Sequence, residues 1–220
     1  MFVARRMQKN PVTLPPSASL YEAQEKMRMR AIHQIPVVST DGKLVGILSD
    51  RDIRAIVLPV GMIPGFTAEE AEKFLKNTPV EKVMKRKVIV ATLADTLEDA
   101  IGLLYNYKIN SLPVVDKDDK VVGIISRTNV LEAFIEVIGM DEVSSRLDVV
   151  VPDKPGSMAQ VFAVISSFHV NITSILTTGH LGPGKRTCYF RIGTLNLGPI
   201  RKALEEAGFE ILDPSTFLQR

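Results

Sequence analysis

A chain of 220 residues, 45% apolar and 24% charged, has a globular composition and room for a sizeable core in one or two domains. Its formal net charge of +2, with only Lys85-Arg86-Lys87 forming a basic run, argues against a nucleic-acid or anionic-membrane binder. The one cysteine, Cys188, leaves no intramolecular disulfide to form, no apolar run is long enough for a bilayer crossing, and residues 1–11 lack the apolar stretch of a secretory signal. A soluble, cytoplasmic protein without nucleic-acid or membrane partners is expected.

In chain order, the first two thirds are organised by a repeat. Shifting the sequence by 77 positions lays Met7 on Met84 and, without a gap, Ile53 on Val130. Pro36-Val37-Val38 falls on Pro113-Val114-Val115, and Val45-Gly46-Ile47 on Val122-Gly123-Ile124. Each copy opens with a short apolar strand, residues 12–14 or 88–91. A helix follows behind Ser19-x-x-Glu22 or Thr96-x-x-Asp99, patterns in which side chains satisfy the free amides of a helix start. Its apolar stripe is Leu20, Ala23 and Met27, or Leu97, Ala100 and Leu104. Strands over 35–38 and 44–48, or 112–115 and 121–125, form a hairpin, and Ser49 or Ser126 opens a second helix. Each unit is thus β-α-β-β-α and about 50 residues, too small to bury much alone, so the two copies are expected to share a core as a pseudo-twofold pair. Between them, Gly61, Pro64 and Gly65 precede Thr67-x-x-Glu70, which caps a connector helix through Leu75.

The strand-to-helix turn 46–52 sets a glycine, the Ser49 hydroxyl and the Asp52 carboxylate side by side. A helix start with free N–H groups suits a phosphate, and Asp52 has the acceptors for a ribose diol. The same Ser-x-x-Asp spacing serves equally as a capping box. Both readings stay open on the residues alone.

Both copies resemble CBS domains. Ile35-Pro36-Val37-Val38 with Gly46-Ile47-Leu48-Ser49-x-x-Asp52, and Leu112-Pro113-Val114-Val115 with Gly123-Ile124-Ile125-Ser126-x-x-Asn129, carry the resemblance. It implies a disc-like pair with two clefts for AMP, ADP, ATP or S-adenosylmethionine. Ser49 and Asp52, with Ser126 and Asn129 in the second copy, would take phosphate and ribose. Thr13, Val90, Ile35, Pro36, Leu112 and Pro113 would line the base pockets, and His33 and Arg51 are further candidates for phosphate. Asn129 stands where the second copy should carry an aspartate, so the cleft served by Asp52 is expected to bind better.

After Gly139 the pattern changes to a ferredoxin-like βαββαβ order. Strands fall at 147–151, 170–177, 187–192 and 210–212, with helices from Met158 and from Ile200. Asp153-x-Pro155-Gly156-Ser157-Met158 and Val170-Asn171-Ile172 make this segment resemble an ACT domain. The resemblance implies effector-binding candidates Asp153, Gly156, Ser157, Met158 and Asn171. The alternative is that the glycine only makes a tight turn and the domain only pairs. Gly179-x-x-x-x-Gly184-Lys185 nearly matches a phosphate-binding loop, but Arg186 replaces the hydroxyl and a strand follows, which predicts a hairpin. His33, His169 and His180 are too dispersed for a metal site, and Cys188 falls inside a strand.

The expected class is therefore α/β (α+β), with boundaries at 1–58, 59–78, 79–140 and 145–214. The expected function is that of a regulatory adenine-nucleotide sensor and homodimer, not an enzyme, with neither catalytic residues nor a cofactor. The order CBS-CBS-ACT looks like the AcuB-type acetoin-utilisation proteins. A ligand-free interaction scaffold is the alternative, and a divergent nucleotide-using enzyme ranks last.

Overall fold

The computed structural model describes residues 1–61, 67–179 and 182–213, with side chains 58–61 set aside; Pro64, Gly65 and His180 lie outside the described residues. The first copy runs α1 (Val3–Arg6), β1 (Gln8–Lys9), α2 (Leu20–Arg30), β2 (Gln34–Val38), β3 (Leu44–Ser49) and α3 (Asp50–Gly61). The connector helix α4 (Ala68–Asn77) begins at a full capping box of Thr67 and Glu70. The second copy opens with a single 3-10 turn, Val80–Lys82, and continues through β4 (Ala91–Thr92), α5 (Leu97–Asn106), β5 (Ser111–Val115), β6 (Val121–Ser126) and α6 (Arg127–Ile138).

The duplication is kept down to irregularities. In both hairpins the register slips at the same place, Val37/Val38 and Val114/Val115. Helices α2 and α5 bury the apolar stripe read from the sequence. Asp99 completes the box with Thr96, whereas at α2 Ser19 accepts from Glu22 N–H and the Glu22 carboxylate turns to Lys26 instead.

The opening of each copy differs from the expected strand. Of residues 12–14, only Leu14 makes a bridge, parallel to Val37; of 88–91, only Ala91 enters the two-residue β4, parallel to β5. Earlier residues do the unexpected pairing, and they pair across copies. Gln8 and Lys9 of β1 lie antiparallel to Ile124 and Gly123 in the second copy, and Lys85 bridges Ile47 in the first. The exchange depends on two glycines. A Cβ on Gly46 would meet the Met84 sulfur at 2.5 Å and the Lys85 carbonyl at 3.1 Å; one on Gly123 would overlap the Met7 sulfur and meet the Gln8 carbonyl at 3.2 Å.

Reciprocal bonds mark the pseudo-twofold axis. Leu44 N–H donates to Asp119 O (3.1 Å) and Val121 N–H to Gly42 O (3.1 Å). Elsewhere on that axis the Ser111 hydroxyl donates to Gln34 Oε1 at 2.5 Å, and these two residues are each other's counterparts under the repeat.

The chain divides into two compact units within α6, Met1–Leu131 and Glu132–Arg220. The second contains β7 (Ser145–Pro152), α7 (Ser157–Ser166), β8 (Ile172–Thr178), β9 (Lys185–Ile192), α8 (Gly198–Glu206) and β10 (Glu210–Ile211). Its antiparallel sheet has the order β10-β7-β9-β8. This is the βαββαβ arrangement expected from the sequence. Alternation on β7 sends Leu147, Val149 and Val151 into a core shared with Val161, Ile165 and Phe190, where Phe162 meets Phe190 edge-on at 6.1 Å. The near-match to a phosphate loop is a hairpin connection, with Gly182 and Gly184 at positive φ and Lys185 already in β9. Among the described residues no helix is long and apolar enough to cross a membrane.

Candidate ligand cleft

A cavity of about 280 Å³ opens between the two copies. Its walls come from stretches distant in sequence: Gln8, Pro11 and Val12 at the exchanged entry, 31–34 between α2 and β2, Asn110 and Ser111 at the start of β5, Ile124 on β6, and 126–129 at the start of α6. Ala31 closes α2 in the left-handed region (φ 51°), turning the chain so that Ile32, His33 and Gln34 reach this wall. The exchange of entry segments is what brings Gln8 to the second copy's helix start.

The polar groups here are largely orienting one another. Asn129 Oδ1 accepts from Ser126 N–H at 3.0 Å and from the Ser126 hydroxyl at 2.9 Å, while Asn129 N–H donates back to Ser126 Oγ at 3.2 Å. The Arg127 amide donates to Asn110 O at 3.0 Å. His33 Nδ1 lies 3.2 Å from Asp50 Oδ2. No Asp or Glu is among the lining residues.

Of the residues expected to bind, Ser126, Asn129 and His33 meet at this cavity. Ile35 and Leu112 are fully buried, and Ile35 packs in the core of its own copy rather than on the cavity wall. Strand alternation is the reason, since Gln34 and Ser111, one residue earlier, face the other way. Pro36 and Pro113 are buried as well, Thr13 and Val90 are half-buried, and Arg51 is exposed; none of these lines the cavity. Ser49 and Asp52 occupy the related position in the first copy. Asp52 Oδ2 accepts from Ser49 N–H at 3.0 Å and from the Ser49 hydroxyl, Asp52 N–H returns a bond to Ser49 Oγ at 3.2 Å, and Asp52 Oδ1 lies 3.1 Å from Lys85 Nζ. The capping arrangement that the spacing allowed is formed at both helix starts.

A family model for the CBS domain matches residues 3–59 and 80–136, more than half of the chain. The chain belongs to the CBS-domain family. An ACT-domain model matches residues 145–209, so an ACT domain follows the CBS pair. An uncharacterised protein of Methanocaldococcus jannaschii is 34% identical over 155 residues, covering 61% of this chain and 92% of that protein. Among solved structures, the CBS protein CBSX2 in complex with AMP is 29% identical with a TM-score of 0.52, covering 62% of this chain and 97% of that one. A putative acetoin utilization protein (AcuB) from Vibrio cholerae is 28% identical with a TM-score of 0.53, covering 64% and 95%.

In the ACT domain the five effector candidates fall into two places. Gly156 (φ 88°) sits at the start of α7 with no side chain to cap it, and the Ser157 hydroxyl is buried without a hydrogen-bond partner among the described residues. Asp153 pairs with Arg186 at 2.8 Å, and Met158 Sδ lies 3.3 Å from Cys188 Sγ. Burial pushes the Cys188 thiol above its ordinary pKa, the wrong direction for a nucleophile. Asn171 belongs elsewhere. It precedes Ile172, which pairs at the Ser145 end of the sheet, whereas Pro152 and the Asp153 loop lie at the Lys185 end. Seven residue steps along β7, roughly 23 Å at the usual rise, separate those ends.

Gln8, Gln34, Asn110, Ser111, Arg127 and Thr128 line the cleft without having been singled out from the sequence. Two of them were legible, because a strand that buries Ile35 and Leu112 must turn Gln34 and Ser111 to its other face. Gln8 was not, since no local pattern reports that an entry segment crosses to the other copy.

Proposed function

We propose that this protein is a regulatory sensor whose CBS pair binds an adenine nucleotide in the cleft walled by Gln8, Gln34, Ser111 and 126–129. One observation carries the reading: the cavity draws its walls from both copies. A ligand there interacts with the relative packing of the copies, so binding biases whichever arrangement fits it better. At about 280 Å³ the cleft falls just below the roughly 300–1,000 Å³ usual for small-molecule sites. The AMP complex of a related CBS protein supports the ligand class. The reading assigns the ACT domain to a small effector or to homodimerisation, and places the protein in the cytoplasm without catalytic activity of its own. Likeness to the Vibrio cholerae protein supports a link to acetoin and carbon metabolism.

The test is a thermal-unfolding series with AMP, ADP, ATP and S-adenosylmethionine. A ligand at a hundred times its Kd stabilises by about 2.7 kcal/mol. Thr128, exposed on the cleft wall, is the residue to change. Thr128→Trp is expected to abolish the ligand-dependent rise while leaving the unliganded Tm within a few degrees. A rise of equal size in this variant contradicts the site.

The alternative of a ligand-free scaffold draws on one observation, the Lys85 ammonium already seated against Asp52. It predicts no nucleotide-dependent shift in either protein.

A further inference from the structure

Apart from the capped helix start, the cavity between the copies is lined by a second bonded pair of side chains, Gln34 with Ser111. They open β2 and β5, and they occupy the same position of the repeat, 77 residues apart. Had duplication kept them alike, the pseudo-twofold axis would present a ligand with one group from both sides. Their divergence to an amide and a hydroxyl gives this part of the cavity a direction.

The hydrogen bond between them sets that direction. The Ser111 hydroxyl donates to Gln34 Oε1 at 2.5 Å, a spacing found in O–H···O pairs and too short for an N–H···O pair. The oxygen end of the amide therefore faces Ser111. The NH2 end is left as a donor, without a hydrogen-bond partner among the described residues. Ser111 has committed its one hydrogen, so its Oγ meets any further group as an acceptor. The pair thus offers one donor and, beside it, one acceptor.

The surroundings decide what those two groups meet. Ser111 is only 7% exposed, and Pro11, Val12, Ile32 and Ile124 line the same cavity. A neutral pair at this depth compensates poorly for the hydration that a phosphate would lose, whereas a flat uncharged base suits the apolar lining. In adenine, N1 and N7 accept on either side of the amino group at C6, which donates. Such an edge takes the Gln34 NH2 on a ring nitrogen and gives an N–H to Ser111 Oγ. A 6-oxopurine seated the same way sets its O6 against Ser111 Oγ, acceptor against acceptor.

We propose that Gln34 and Ser111 read the base of the nucleotide, selecting adenine over 6-oxopurines. This rests on the nucleotide reading given above and names the side chains that determine its base.

The experiment is calorimetric titration of the full chain with AMP and inosine 5′-monophosphate, which share ribose and phosphate and differ only at C6 and N1. Wild type is expected to bind AMP at least about tenfold more tightly, the scale of one mispaired buried polar group. Gln34→Met keeps a side chain of similar length, removes both polar ends and frees the Ser111 hydroxyl to donate or accept. It is expected to bring the two ligands within about threefold of each other. Gln34→Glu puts an acceptor where the donor was, and is expected to move the preference toward inosine monophosphate, whose N1 carries a hydrogen. Wild-type affinities within about threefold, or a preference for AMP of about tenfold surviving in Gln34→Met, overturns this proposal alone. If wild type binds neither ligand, the nucleotide reading itself falls and this one with it.

Discussion

Asp52 illustrates how one side chain serves two readings that a sequence holds open together. Its spacing from Ser49 fits a ribose-binding carboxylate and a capping box alike, and the geometry engages it fully as a cap, with Lys85 on its remaining oxygen. The Lys85 ammonium is 65% exposed and Asp52 only 14%, so the ion pair itself contributes little, about 0–1 kcal/mol after screening. The cap is worth more, because removing it frees amides at a part-buried helix start. Asp52→Ala is therefore expected to cost about 1–2 kcal/mol in denaturant unfolding while leaving the affinity for AMP unchanged. Unchanged stability with weakened AMP binding is the contrary result, and it would return Asp52 to the ligand. Asn129, which reads in the sequence as a weakened copy, makes the same cap and faces an open cavity.

At the scale of elements, the helices and hairpins were legible because each has a local signature. Stripes at Leu20, Ala23 and Met27 or Leu97, Ala100 and Leu104, hydroxyl caps, and alternating strands all act within a few residues. The entry segments were not legible, because Gln8 and Lys85 are positioned by tertiary pairing with the other copy. Only the glycines opposite them left a trace. Gly46 and Gly123 stand inside strands, where glycine is otherwise unfavourable, and each marks a close approach of another backbone. Gly123→Val is expected to force the β1 segment away from β6, costing about 1–3 kcal/mol and weakening AMP as Gln8 leaves the cleft. Gly102 is the control. It lies within α5 with nothing near its missing Cβ, so Gly102→Ala is expected to stabilise by about 0.5–1 kcal/mol without touching the ligand. Chemical denaturation of the pair checks both, and a Gly123→Val protein as stable as wild type contradicts the close approach.

For the whole molecule, the order of domains followed from the repeat and from the change of pattern after Gly139, and family matching gives a CBS pair and then an ACT domain. The cleft's composition did not follow, since a pseudo-twofold axis sets residues 77 apart against each other, as Gln34 and Ser111 are. That symmetry supplies internal controls. Ile32 and Ile124 line the cavity, while their repeat counterparts Ile109 and Ile47 do not. Methyl NMR of isoleucine-labelled full chain during AMP titration is the most direct test. The account predicts that Ile32 and Ile124, one from each copy, shift together with a single Kd while Ile47 and Ile109 hold still. Equal shifts at all four methyls, or none at Ile32 and Ile124, would contradict a nucleotide site between the copies at Asn129.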